Sequence, residues 1–233
     1  MKIEYLGHSG FFVECESSLL LFDYYRGDLS FISEKPEEKP LFVFVSHAHG
    51  DHFNPRIFDI TDIHPKTKYM LSFDIKGSSA VPKDMDINYL AADKRYEEKE
   101  LGEILTLAST DEGVAFLIKT KDKTLFHAGD LNWWDWPGED VEWLREQETV
   151  FKREIKKLKG ERIDAAFAVL DDRLEGNYWK GMALILSELC PRYVLPMHFW
   201  NDDGIIERFK KLPEARESSS VLLDTVNEKR WEI

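Results

Sequence analysis

Residues 46 to 52 read SHAHGDH and place His47, His49 and His52, three of the seven histidines in the chain, beside Asp51. Imidazole nitrogens and carboxylate oxygens together form the donor set of a borderline divalent cation such as Zn²⁺. The window follows the apolar run Leu41 to Val45, and Gly50 permits a tight backbone path, so the side chains can converge beyond the end of a buried strand. A polar surface loop with chance histidines is the competing reading, and the density of ligand-type residues argues against it. Two further apolar runs end alike: TLFHAGD delivers Asp130 and YVLPMHFW delivers His198. Alone, Asp130 reads as a turn residue and His198 as a core histidine. In an α/β sheet the strand mouths share one edge, so residues far apart in sequence can meet there, and the three segments together predict one metal cluster.

The elements that must position these residues follow from the pattern of apolar runs. Lys2 to Leu6, Phe11 to Cys15, Leu19 to Asp23, Leu41 to Val45 and Lys68 to Ser72 read as strands bounded by turn residues. NPRIFDI suits a short helix with Asn54 as N-cap and Pro55 at its first position. Glu103 to Ser109 is another strand, and Gly113 to Asp130 gives two strands about a Lys-Asp-Lys turn. Asp140 to Lys159 carries Trp143, Leu144, Phe151, Ile155 and Leu158 mostly at helical spacing, acids early and lysines late, which predicts an amphipathic helix. IDAAFAVL reads as a buried strand, YWKGMALILSEL as a helix stopped before Pro191, RYVLPMH as a strand, and SSVLLDTVNEKRWEI as a closing hairpin. The first half is thus β-rich, the second alternates β and α, and no repeat or low-complexity tract interrupts them.

At 233 residues and 43% hydrophobic, the chain supports one sizeable core, and residues 1–233 are expected to form a single domain. Its 31 basic and 44 acidic residues give a formal charge of −13, which disfavours nucleic acid, because that affinity leans on Lys and Arg meeting phosphates. A small anionic substrate stays compatible, since bound cations would create a local positive focus. Cys15 and Cys190, both in apolar surroundings, predict buried small hydrophobes rather than a disulfide or thiolate site. Neither a signal-like N-terminus nor an apolar run of membrane-spanning length is visible, so a cytoplasmic location and no membrane contact are expected; homo-oligomer formation stays open.

SHAHGDH matches the H-x-H-x-D-H signature of the metallo-β-lactamase superfamily, and HAGD and PMH follow in order behind strands. The chain resembles that superfamily from YLGHSGFFVE to its C-terminal segment, most closely the small metal-dependent hydrolases like ascorbate-6-phosphate lactonase. The resemblance implies an α/β fold, a four-layer αβ/βα sandwich of two mixed sheets flanked by helices with the metal site along one edge. It assigns His47 and His49 to a first metal, Asp51, His52 and His198 to a second, and Asp130 as the bridging carboxylate. One or two Zn²⁺ or Mn²⁺ ions and a metal-activated hydroxide are implied, with Asp51 or Asp130 positioning the nucleophile and shuttling its proton. The sequence departs from the family at the stretch LASTDEG, where another histidine is usual. Ser109, Thr110, Asp111 or Glu112 could approach the metal there, or water could fill the position, making the first site harder in character and more tolerant of Mn²⁺.

Asp23, ending the strand LLLF, and His8 in GHSG are candidates to orient a ligand or face the site. His127 reads as packed inside its strand and His64, beside Pro65, as solvated. For substrate, Trp133, Trp134 and Trp136 follow Asp130 closely and could wall a pocket, with at least one of the three at its mouth or in an interface. Asp172, Arg173 and Lys180 could contact an anionic group, with a solvated salt-bridged loop as the competing reading. The function expected is metal-dependent hydrolysis of an ester-like bond, a lactone or a small phosphodiester, in a small anionic substrate. The competing functions are a ribonuclease or phosphodiesterase acting on nucleic acid and a non-catalytic metal or ligand sensor on the same frame.

Overall fold

Every residue of Leu41–Val45 is buried, with Phe42 and Phe44 in one core and Leu41, Val43 and Val45 in another. That period of two is what a strand covered on both faces requires. The computed structural model describes residues 1–200 and 202–233, and among these residues fourteen strands form two seven-stranded sheets. Numbered in chain order, the first sheet runs β14 (Arg230–Glu232), β1 (Lys2–Gly7), β2 (Gly10–Glu14), β3 (Leu19–Phe22), β4 (Leu41–Val45), β5 (Thr67–Ser72) and β6 (Ile87–Leu90). The second runs β13 (Val221–Leu222), β12 (Tyr193–Met197), β11 (Ala165–Val169), β10 (Thr124–His127), β9 (Val114–Thr120), β8 (Gly102–Ala108) and β7 (Arg95–Glu98). Both sheets are mixed. Pairing is antiparallel from β14 to β3 and parallel from β3 to β6. It is antiparallel from β7 to β10 and parallel from β10 to β13.

The sheets meet face to face through aromatic side chains, with Phe44 and Phe116 ring centroids 5.2 Å apart and Phe22 and Phe167 5.7 Å apart. Outside the first sheet, Ile32, Ile57 and Phe58 of two 3-10 turns and Ile60 of α1 (Ile60–Ile63) cover Val43, Tyr69 and Leu71. Helices α2 (Val141–Lys157) and α3 (Lys180–Leu189) pack together, α3 against β11 of the second sheet. The result is the four-layer sandwich that the sequence leads one to expect. Helix α2 starts where Asp140 accepts the N–H groups of Glu142 and Trp143, and its last turn carries Lys156 and Lys157, favourable to the helix dipole. Two short helices, α4 (Ile205–Phe209) and α5 (Pro213–Arg216), follow.

One edge of the sandwich is stitched across the sheets. Val114 N–H donates to Ser46 O at 2.9 Å, and His198 N–H donates to His8 O at 3.2 Å. Gly113, at φ +69°, makes the first approach feasible, since a Cβ there would lie 2.0 Å from Ser46 O.

Three expectations need correction, and two strands are additional. The C-terminal segment is not a hairpin: β13 pairs with β12 in the second sheet and β14 with β1 in the first, because the free edges of the two sheets compete for these short strands. The four-residue strands β6 (INYL) and β7 (RYEE) were not anticipated, because neither is long enough to show a strand pattern in the sequence. His64 is buried, as the cap of α1 folded under the first sheet. Cys190 is exposed, because it leaves α3 in the left-handed conformation at φ +45° and turns away from the apolar stripe.

Candidate metal centre

The stitched edge is where the ligand-type residues gather. Asp23, fully buried beyond β3, organises the first group: its Oδ1 accepts Ser46 N–H at 2.7 Å and its Oδ2 accepts the Ser46 hydroxyl at 2.6 Å. Oδ2 also lies 2.7 Å from His52 Nδ1. With its hydroxyl donated to Asp23, Ser46 Oγ is free to accept from His47 Nδ1, 2.9 Å away. Both imidazoles can thereby keep a proton on Nδ1, which leaves Nε2, directed toward Asp130, as the nitrogen available to a cation. His52 Nε2 is 3.1 Å from Asp130 Oδ1, and His47 Nε2 is 3.6 Å from Asp130 Oδ2.

His198, beyond β12, repeats the design with Asp171, whose Oδ2 is 2.9 Å from His198 Nδ1, while His198 Nε2 lies 3.4 Å from Asp130 Oδ1. His8, in the turn between β1 and β2, sits 3.1 Å from Asp51 Oδ2 through Nε2, with its ring 4.3 Å from that of His198. His49 is more exposed and reaches Asp111 Oδ2 at 3.8 Å and Glu112 Oε2 at 3.4 Å.

Two groups of donors result, each with ligand atoms within 4.8 Å of one another: His8, Asp51, His52 and His198, and His47, His49, Asp111 and Asp130. The fit to a cation rests on the donors' unmet bonds. Nε2 of His8, His47 and His52 and Oδ1 of Asp130 are buried and make no hydrogen bond; the short approaches between them lack hydrogen-bond alignment. A buried unpaired polar atom costs about 1–3 kcal/mol, so three such imidazole nitrogens, two facing Asp130 and one facing Asp51, are a poor protein core and a suitable divalent-ion cradle. The charges of the cluster centre on Asp130. Burial pushes the His47 imidazole down to about 4, helped by His52. Burial acts in the same direction on His198, yet Asp130 and Asp171 raise it to about 9. Burial alone would raise Asp130, but His198 and His52 hold it well below the usual carboxylate range.

The backbone is strained where the site is built. His8, Asp23, His198 and Trp200 are four of the seven non-glycine residues with left-handed φ among the described residues. Such conformations cost on the order of 1–3 kcal/mol each and persist where surrounding contacts enforce them.

Beside the donors lies a cavity of about 240 Å³ reached by Asp51, Asp111, Asp130, His198, Trp134 and Arg173. Trp136, Trp143 and Trp200 also line it. Trp133 does not: it faces a separate groove of about 610 Å³ beside α3 with Lys180, because consecutive residues of the 131–136 segment point to opposite sides. Lys180 pairs there with Asp135, so neither it nor Trp133 contacts the donor cluster. His127 lies inside its strand, bonded through Nε2 to Ser9 O at 2.9 Å and stacked on Phe22.

Sequence reasoning passed over Asp171, although it follows a buried strand just as Asp23 does; of the doublet Asp171 and Asp172, only the pleat of β11 decides which faces inward. Glu154 was also missed. It is fully buried on α2 and accepts Ala108 N–H at 3.2 Å, anchoring the end of β8 from which the Asp111 loop departs.

The family model described as beta-lactamase superfamily domain matches residues 2–134. A metal-dependent hydrolase from Pelotomaculum thermopropionicum is 33% identical over 95% of this chain and 95% of its own. A metallo hydrolase from Ignicoccus hospitalis shares the fold with a TM-score of 0.68 at 18% identity, covering 100% of this chain and 98% of that chain. A metallo-beta-lactamase fold protein from Bacillus subtilis does so at 0.62 and 16% identity, covering 99% and 98%.

Proposed function

The chain belongs to the beta-lactamase superfamily and is a metal-dependent hydrolase, and we propose that it hydrolyses an ester-like bond, in a lactone or small phosphodiester, at a centre for two divalent cations. The carrying observation is the set of buried, unpaired donor atoms gathered beside Asp130 and Asp51. Cations bound there supply Lewis acidity, lowering the pKa of water toward neutrality and offsetting charge on a developing oxyanion. In this reading His47, His49 and Asp111 hold one ion and His8, Asp51, His52 and His198 the other. Asp130 serves both, since its two oxygens face the two groups separately. Asp111 thus takes the place of the histidine usual in the family.

Asp51 is the donor carboxylate that opens onto the cavity from the imidazole-rich group, with its side chain 23% exposed, and it is suited to accept a proton from attacking water. Asp23 and Asp171 fix the tautomers of His52 and His198 so that Nε2 points inward. The indoles of Trp134 and Trp136, stacked at 5.7 Å, exclude solvent from one side. The cavity is smaller than the 300–1,000 Å³ common for ligand pockets, and with the net charge of −13 this favours a small molecule over an RNA strand. The mixed donor set suits Zn²⁺ in the imidazole-rich group and Zn²⁺ or Mn²⁺ in the carboxylate-rich one. The whole chain, 1–233, would act as one domain.

Elemental analysis of gently purified protein, with hydrolysis of bis-p-nitrophenyl phosphate and a lactone panel, tests this. Two divalent ions per chain in the parent, fewer in His49→Ala, and turnover abolished by Asp130→Ala are expected. Retention of metal without turnover of any ester would instead establish a sensor.

A further inference from the structure

The metal reading leaves one wall of the cavity unexplained. Arg173 is the one Lys or Arg among its described lining residues, against the carboxylates of Asp51, Asp111 and Asp130. Its guanidinium is held by a carboxylate and two indoles. Nε donates to Asp171 Oδ1 at 2.9 Å and to Oδ2 at 3.0 Å, and Nη2 donates to Oδ2, so Asp171 occupies the Nε–Nη2 edge. The guanidinium also packs against two indoles, Trp136 and Trp200, whose ring centroids lie 5.3 and 5.1 Å from Cζ. The remaining edge, between Nη1 and Nη2, carries two N–H groups in the spacing of a bidentate oxyanion contact. Nη1 has no hydrogen-bond partner among the described residues, and the side chain is 46% exposed.

A guanidinium fixed in this way has already lost the rotamer freedom that binding would otherwise cost. It is also close to the chemistry. Asp171, which grips Arg173, is the same carboxylate that orients His198, so the open fork stands one carboxylate away from a donor of the centre. Bound cations would neutralise Asp51, Asp111 and Asp130, leaving the free Nη1–Nη2 edge of Arg173 as the cationic side-chain donor that the cavity presents to a ligand.

Resting on the hydrolase reading above, we infer that Arg173 reads an oxyanion on the substrate itself, which is a small ester or lactone bearing a carboxylate or phosphate group. The apolar body of that molecule lies against Trp134 and Trp143, both of which line the cavity. Arg173 is therefore a specificity-determining residue, and the cation-loaded pocket selects anions over neutral esters through it.

The test uses the Zn²⁺-loaded protein, with zinc content measured in each variant. Intrinsic tryptophan fluorescence is titrated with glutarate, with inorganic phosphate and with uncharged dimethyl glutarate. Saturable binding of one of the two anions, and none of the diester, is expected, and which anion binds distinguishes a carboxylate from a phosphate substrate. Arg173→Met should weaken that binding roughly tenfold to a hundredfold, the worth of a charge-assisted fork. Should Arg173→Met also lose zinc, Arg173→Lys, which keeps the charge beside Asp171, is expected to retain zinc and still lose roughly fivefold. Anion affinity unchanged within about twofold in zinc-loaded Arg173→Met, or in Arg173→Lys, places the anion on the cations alone and overturns the inference; so does the absence of binding by the parent below about 10 mM. Turnover is scored separately, as the ratio of kcat/KM for mono-4-nitrophenyl glutarate to that for 4-nitrophenyl acetate. A parent that hydrolyses the neutral ester without Arg173-dependent anion binding sinks this inference alone. A parent that binds the anion through Arg173 and hydrolyses nothing sinks the hydrolase reading and leaves the anion site standing.

Discussion

The two donor groups share Asp130 and one edge of the sandwich, yet they are built differently. The side chains of His8, His52 and His198 are 3%, 0% and 2% exposed, and two of these imidazoles have a carboxylate behind them, Asp23 or Asp171. In the other group, His49 and Asp111 are 45% and 44% exposed, and only His47 is braced, by Ser46. The physical lesson is that a donor held by a buried partner is preorganised, whereas an exposed donor must be ordered by the ion it binds. The imidazole-rich group should therefore hold its ion more tightly, and the carboxylate-rich group should exchange its ion and tolerate harder metals.

The largest effect that would break this comparison is at the residue both groups need. Asp130→Ala should lower kcat/KM on the order of 10³-fold or more and deplete both ions, read by steady-state kinetics with elemental analysis, circular dichroism reporting the fold. Loss of one ion alone would show that the carboxylate is not shared. Next, chelation of the loaded protein should remove about 3 kcal/mol of stability for an ion present at a hundredfold excess over its Kd, lowering Tm by about 5–10 °C in calorimetry. Two steps on increasing chelator are expected, the first belonging to the exposed group; a single step would erase the distinction.

Asp171→Asn should weaken one ion, the buried one, by roughly 10- to 100-fold in a chelator competition, since His198 loses its orienting carboxylate. Equal weakening of both ions would contradict the assignment. The smallest effect sharpens the other half: Asp111→His should shift the exposed site's preference from Mn²⁺ toward Zn²⁺ by about tenfold, measured by competitive metal binding. No shift would mean that Asp111 does not touch the ion and that Glu112, also beside His49, serves instead.

Much of the scaffold was legible because its signals are local. Leu41 to Val45 and IDAAFAVL could only be covered strands, and Asp140 with its early acids and late lysines marked α2 within two residues of its ends. The C-terminal segment was misread because a two-residue strand carries too little pattern to say which sheet it joins. Trp133 and Trp134 are equally aromatic neighbours of Asp130, and only the path of the 131–136 segment sends one to the cavity and the other to the groove beside α3.

The chain alone determined that imidazoles and carboxylates would stand at strand mouths, because residue type and the period of apolar runs are properties of short segments. What it left open is which of them touch. His8 joining His198, Asp171 rather than Asp172 facing inward, and Asp111 arriving opposite His49 depend on two sheets packing at one angle and on left-handed turns that only the assembled core can hold in place.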